Sequence, residues 1–192
     1  AKELFEKSAS YKNHEAFNCL GNLYLDGKGV EKNYQNAFFW YELSARQNNS
    51  SALFNLANIY RYGYGVKKDY QKMMHYYELS AKYNNSDALF ILGNIYMCGY
   101  HIKRDYLKAK QYFEKAAQLG NHQAINNLGN LYLFGHGVEK NYLRARECFE
   151  KSISMNCSSS YINIGLIYLY GLGVMKDYAK AKQYFEIAAL QN

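Results

Sequence analysis

The side chains best suited to chemistry in this 192-residue sequence are five histidines, four cysteines, a regularly placed set of glutamates and several Gly-x-Gly loops. His14, His75, His101, His122 and His136 would be the metal ligands or general bases, yet only His14 and His122 occupy equivalent places. No His-Glu-x-x-His, no paired Cys-x-x-Cys and no Ser, His and Asp set at an interpretable spacing accompanies them. "GKG" at 27–29 is reminiscent of a phosphate-binding loop but lacks the rest of a Walker motif. Its counterparts read "GYG", "GYH", "GHG" and "GLG", a variation that suits a turn. Glu42, Glu78, Glu114, Glu150 and Glu186 recur at one spacing, as a solvated or structural face would. These residues point to a non-enzymatic chain with no catalytic residue, metal or cofactor.

The spacing of the glutamates belongs to the whole sequence. "LGNLYLDGKGVEKNY" at 20–34 returns as "LGNLYLFGHGVEKNY" at 128–142. Tyr24, Tyr60, Tyr96, Tyr132 and Tyr168 fall in step, as do Gly27, Gly63, Gly99, Gly135 and Gly171, each 36 residues apart. Five copies result, at 13–48, 49–84, 85–120, 121–156 and 157–192. Residues 1–12 align with the second half of a further copy, because "LFEKSA" matches "WYELSA" at 40–45. The start in mid-repeat, without Met, suggests a piece of a longer array. A fixed period of this size indicates a solenoid and a single repeat domain over 1–192.

Each copy reads as two helices. In the first, Ala16, Phe17, Leu20, Gly21 and Tyr24 form one apolar stripe. Asn13, Asn49, Asn85 and Asn121 precede it as N-caps, and Gly27 and its counterparts end it in the left-handed conformation. Asn33, Asp69, Asp105, Asn141 and Asp177 cap a second helix expected to bury Ala37, Tyr41, Ala45 and their equivalents. Gly21, Gly93, Gly129 and Gly165 lie inside the first helices, where each costs about 1 kcal/mol against Ala. Close helix approach would compensate. The absence of proline suits uninterrupted helices, and no stretch alternates long enough for a strand.

The string "LGNLYLDGKGVEKNYQNAFFWYELSA" resembles the Sel1-like repeat, a relative of the tetratricopeptide repeat, and five in-phase copies of G-x-G-V-x-x-[DN]-Y extend the likeness over the whole chain. The resemblance implies an all-α, right-handed superhelical solenoid of antiparallel helix pairs, with first helices lining a concave groove, and an adaptor that holds other proteins together. His101 replaces the second loop glycine of the third copy and puts that loop's backbone in question. Cys157 and Ser160 replace the capping Asn and an Ala of the fifth, which is expected to fray.

Hydrophobic residues make up 49% of the chain and 22 residues are Tyr, enough to pack repeats on one another although no single repeat could bury its own core. Cys19, Cys98, Cys148 and Cys157 share no repeat position, unlike the regular disulfide pairs of one subgroup of this family. Scattered thiols favour a reducing, cytoplasmic setting. The Asn-x-Ser sequons at Asn48, Asn49, Asn84 and Asn156 keep the secretory pathway open, and no transmembrane run is present.

A net charge of +7 raises nucleic-acid binding. Location disfavours it, because of 23 Lys and Arg only Arg61 falls in a first helix. The rest lie in loops and second helices, as in "VKKDY" and "IKRDY", without a basic track among groove aromatics.

Asparagine takes the place of charge in the groove. At 100° per residue, position 22 of the repeat lies about 160° from position 24, so it points away from the core. It reads Asn22, Asn58, Asn94, Asn130 and then Leu166. Asn55, Asn127 and Asn163 flank it one turn earlier, with Asn18 and Asn126 beside them. An amide side chain offers a donor and an acceptor, as a peptide unit does, so a ladder of them could pair with an extended chain of any sequence. Tetratricopeptide grooves use Asn ladders in this manner, and the resemblance carries that role to Asn22, Asn58, Asn94 and Asn130 alone. The alternative is that Asn is merely tolerated there. Phe54, Phe90 and Ile162, with Tyr62, Cys98, Phe134 and Tyr170, put apolar side chains beside the ladder as pockets or anchors. Tyr62 and its counterparts could equally pack on the Gly-x-Gly-Val loop. Glu15, Asp26 and Asp87 are the few acids near this face, so a neutral or mildly basic peptide fits best.

The sequence therefore predicts a protein-interaction scaffold that binds an extended protein segment in its groove. Two alternatives stand beside it: a basic outer face that binds RNA or acidic surfaces, and a spacer or oligomerisation module that self-associates through cut repeat ends.

Overall fold

The computed structural model describes residues 13–190, so the second helix expected within 1–12 lies outside the described residues. The described chain is all-α, with ten helices: α1 (His14–Asp26), α2 (Tyr34–Ala45), α3 (Ser50–Tyr62), α4 (Tyr70–Lys82), α5 (Ser86–Cys98), α6 (Tyr106–Gln118), α7 (His122–Phe134), α8 (Tyr142–Ser154), α9 (Ser158–Tyr170) and α10 (Tyr178–Leu190). Two compact units result, Ala1–Leu89 and Phe90–Asn192. In the first, α1 pairs with α2 and α3 with α4, and α2 packs on α3. In the second, α7 pairs with α8 and α9 with α10, while α6 packs on α7 and α8 on α9.

Helix boundaries follow the capping chemistry in the sequence. Asn49 Oδ1 accepts from the Ala52 N–H at 2.9 Å, and Asn85 and Asn121 cap α5 and α7 at the same distance. Asn33, Asp69, Asp105 and Asn141 do the same for the second helices. Cys157 makes no such bond, yet α9 starts at Ser158 in register with the other first helices. His101 takes φ 57°, the left-handed value held by glycine at its counterparts Gly65 and Gly137, so the loop keeps its backbone despite the side chain.

The helical glycines are explained by a close approach. A Cβ on Gly21 would stand 2.4 Å from the Tyr41 ring, and one on Gly93 or Gly129 would stand 2.4 Å from Phe113 or Phe149. Those three rings are fully buried. The second repeat carries Ala57 at this place, under the equally buried Tyr77. Cores are shared between repeats: Ala37 and Tyr41 of one cluster with Ala52, Leu56 and Ile59 of the next, and Ala145 and Phe149 with Ile164 and Ile167.

Two expectations about burial are corrected. Ala45 is half-buried, and the sealed position is its neighbour, occupied by Ser44, Ser80, Ala116, Ser152 and Ala188. The serine hydroxyls survive burial because each donates to a carbonyl at the start of the paired first helix: Ser44 to His14 at 2.6 Å, Ser80 to Ser50 at 2.7 Å and Ser152 to His122 at 2.8 Å. The tyrosine at position 24 is not a deep core residue either. Only Tyr60 is buried, while Tyr24, Tyr96, Tyr132 and Tyr168 are half-buried.

Restoring the missing cap with Cys157→Asn should raise stability by about 1 kcal/mol, and Asn141→Ala should lower it by about the same. Urea midpoints at unchanged m-value report both.

Candidate functional site

The first helices bury Ala, Leu and Gly against their partners, and the asparagines lie beside that packing rather than wholly away from it, two of them bonded to buried tyrosine hydroxyls. Asn22 is exposed; Asn58, Asn94 and Asn130 are half-buried, as are Asn55, Asn127 and Asn163. In the first unit, Asn22 Oδ1 accepts from the Tyr41 hydroxyl at 2.7 Å and from Asn55 Nδ2 at 3.2 Å. Asn55 Nδ2 also reaches Asn18 Oδ1 at 3.1 Å. Asn58 Oδ1 accepts from the Tyr77 hydroxyl at 2.6 Å. In the second unit, Asn127 Nδ2 donates to Asn94 Oδ1 at 2.8 Å. Asn126 Oδ1 accepts from Asn163 Nδ2 and from the buried Ser160 hydroxyl, both at 2.8 Å. The asparagines thus pair with one another and with hydroxyls, and several of their oxygens are committed inside the protein. The tyrosine partners were missed in the sequence. Their signal is a hydroxyl at Tyr41 and Tyr77 where Phe113, Phe149 and Phe185 stand in later repeats.

The flanking aromatics divide into two sets. Phe54 and Phe90 lean on the buried rings of Tyr77 and Phe113, with centroids 5.6 and 6.1 Å apart. Tyr62, Phe134 and Tyr170 are 49%, 58% and 61% exposed. Tyr62 also stacks on Tyr64 and Phe134 lies against His136, so these two touch their own Gly-x-Gly-Val loops while keeping open surface.

Arg61 extends over the Tyr62 ring and hydrogen-bonds the Tyr77 hydroxyl. Asp26 is paired with Lys28 at 2.7 Å. Burial pushes the Tyr41 hydroxyl well above the ordinary tyrosine range, with the Asp26 charge adding to the effect. Burial raises Tyr77 as well, against the pull of Arg61.

The position-24 tyrosines carry a second periodic arrangement. Lys72, Lys108, Arg144 and Lys180 sit over the rings of Tyr60, Tyr96, Tyr132 and Tyr168, 5.0 to 5.7 Å from the centroids. Three of those rings stack in turn on Tyr76, Tyr112 and Tyr184. Three of the repeated glutamates form ion pairs one turn along, Lys110 with Glu114, Arg146 with Glu150 and Lys182 with Glu186. Among the described residues, no group of three or more His, Cys, Asp and Glu could hold a metal, and none of the four cysteines is bonded to another. No helix among them is long and apolar enough to cross a membrane.

A family model described as Sel1 repeat matches residues 20–49, 50–84, 86–121, 122–157 and 158–192. The chain belongs to the Sel1 repeat family. Proteins of this family are in general interaction scaffolds without enzymatic activity. Among solved structures, the chain is similar to a Sel1 repeat protein from Oxalobacter formigenes, 30% identical with a TM-score of 0.91 over 99% of this chain and 78% of that one. It is also similar to c5321, a protective antigen of uropathogenic Escherichia coli, 30% identical with a TM-score of 0.89 over 98% of this chain and 40% of that one. Helicobacter pylori cysteine rich protein B is 26% identical, with a TM-score of 0.53 over 70% of this chain and 96% of that one. No curated protein matches the chain.

In this Sel1 repeat chain the buried tyrosines set a pH dependence. Their folded values lie above the unfolded value of about 10, so the stability they contribute is complete below pH 10 and lost as the pH climbs past it. Raising the pH from about 8 to about 10.5 should lower the urea midpoint, and the fall should be smaller in Tyr41→Phe, Tyr77→Phe, whose rings still fit as Phe113 and Phe149 do.

Proposed function

We propose that this Sel1 repeat chain is a scaffold whose first-helix asparagines bind an extended protein segment through its main chain. The observation that carries the proposal is the orientation of the amides. Asn22 and Asn94 direct their oxygens into the protein, so their N–H groups are left to meet backbone carbonyls of a ligand. Exposed Tyr62 in the first unit, and Phe134 and Tyr170 in the second, supply large apolar contacts beside the amides. The face has little charge, with Arg61 its single cation in a first helix and Asp26 already paired. Recognition of this kind favours neutral or mildly basic segments without demanding a sequence.

A second reading is favoured by the cations over the position-24 tyrosines, which would attract RNA or an acidic surface. Salt separates the two. Peptides selected on the immobilised chain from a random-sequence library should lose at least about tenfold in affinity for Asn58→Ala, Asn94→Ala, Asn130→Ala, which is about 1.4 kcal/mol. Raising salt from 50 to 500 mM should change their affinity less than about threefold, whereas a ligand held by six or more phosphate contacts would lose on the order of a thousandfold or more. Equal affinity for both proteins would overturn the proposal.

A further inference from the structure

The positive charge is unevenly placed. The second compact unit, Phe90–Asn192, holds 12 Lys and Arg against 7 Asp and Glu, whereas Ala1–Leu89 holds 11 against 9. Much of the excess lies on one edge of the second unit, where each Gly-x-Gly-Val loop or its variant meets the start of a second helix. Lys103, Arg104, Lys140 and Lys176 are exposed in the loops, and Lys108, Arg144 and Lys180 are exposed in the first turns of α6, α8 and α10. Of the acids on this edge, Asp105 and Asp177 are turned back on the protein, accepting from the Lys108 and Lys180 backbone N–H groups at 2.9 Å.

The edge is continuous from repeat to repeat. A Cβ on Gly137 would stand 2.6 Å from Tyr106 Cβ and 3.2 Å from the Leu107 nitrogen, and one on Gly173 would stand 2.7 Å from Tyr142 Cβ. Each of these loops thus rests on the helix start of the repeat before it. Among the cations the same edge exposes aliphatic side chains: Leu107 is 62% exposed, Leu143 58% and Met175 91%. The first unit has Gln35 and Gln71 in place of the leucines and Glu31 and Lys67 in place of the methionine, so the combination belongs to the second unit.

Exposed leucine and methionine set among lysine and arginine suit a surface that is anionic outside and apolar beneath. An anionic lipid bilayer has that order. Its headgroups attract a cluster of cations, and the boundary between headgroups and acyl chains takes up aliphatic side chains. Single-stranded RNA matches the edge less well, because its bases need open aromatic faces. The Tyr106 ring is already engaged, with Arg104 over it at 5.0 Å and His136 stacked on it at 4.6 Å. We propose that the loop edge of the second unit docks the chain peripherally on anionic lipid, with Leu107, Leu143 and Met175 entering the headgroup layer and the surrounding lysines and arginines meeting its phosphates and carboxylates. The proposal does not rest on peptide binding by the asparagines.

The test mixes the full chain with phosphatidylcholine vesicles, with or without about one third phosphatidylserine, and measures the bound fraction by sedimentation. Binding should be at least about tenfold stronger to the anionic vesicles. Leu107→Ser, Leu143→Ser, Met175→Ser keeps every charge and replaces only exposed side chains, so its circular dichroism should be unchanged while its binding to anionic vesicles falls at least about fivefold. Gln35→Ser, Gln71→Ser, at the matching places of the first unit, should change that binding less than about twofold. Equal binding by the parent chain and the triple variant would mean attraction by charge alone and would overturn the proposal, as would the absence of a preference for anionic vesicles. Tighter binding to poly(U) than to those vesicles, undiminished in the triple variant, would assign the edge to RNA and overturn it as well.

Discussion

An aromatic ring of each second helix lies against a stretch of first helix that has almost no side chain. Tyr41 on Gly21, Phe113 on Gly93 and Phe149 on Gly129 share this geometry, and it fixes how near the two helices of a pair can come. The packed ring goes with serine bonds to carbonyls of the facing helix, from Ser44, Ser80 and Ser152, and with tyrosine bonds to asparagine, from Tyr41 and Tyr77, over Ala57 as well as over glycine. Each glycine costs helix propensity of about 1 kcal/mol, and burial of a whole aromatic ring, which removes well over 100 Å² from water, outweighs it.

The same ring links structure to function. A tyrosine at that place has a buried apolar body and a hydroxyl that must find an acceptor. In the first two repeats the acceptor is the asparagine that follows the small residue under the ring, Asn22 after Gly21 and Asn58 after Ala57. Packing thereby decides which end of the amide faces outward. Beside Phe113, Asn94 accepts from Asn127 of the next repeat. Amide order on the asparagine face thus follows from core packing and from contacts between repeats.

Periodicity made most of the fold legible in the sequence, because five aligned copies expose the caps at Asn49, Asn85 and Asn121 and the left-handed glycines that end α1, α3, α7 and α9. Side-chain partnership was less legible. Ala45 and Ser44 are adjacent, and hydropathy favours the wrong one, because a serine looks polar until its carbonyl partner on another helix is known. Position 24 looked like core because tyrosine is large, whereas four of the five rings are only half-buried. The asparagine face was visible as a pattern, but its hydrogen-bond direction depends on Tyr41, Tyr77 and Ser160, which lie 19 or 34 residues from their acceptors.

The most direct test of the account is to resolve the asparagine side-chain amide protons of the free protein by NMR and measure their exchange with water. The account predicts slowed exchange and small temperature coefficients for the Nδ2 protons of Asn55, Asn127 and Asn163, which are hydrogen-bonded, and faster exchange for those of Asn22 and Asn94, whose oxygens take up the bonds to their neighbours. Uniformly fast exchange, or protection of the second set and not the first, would contradict it.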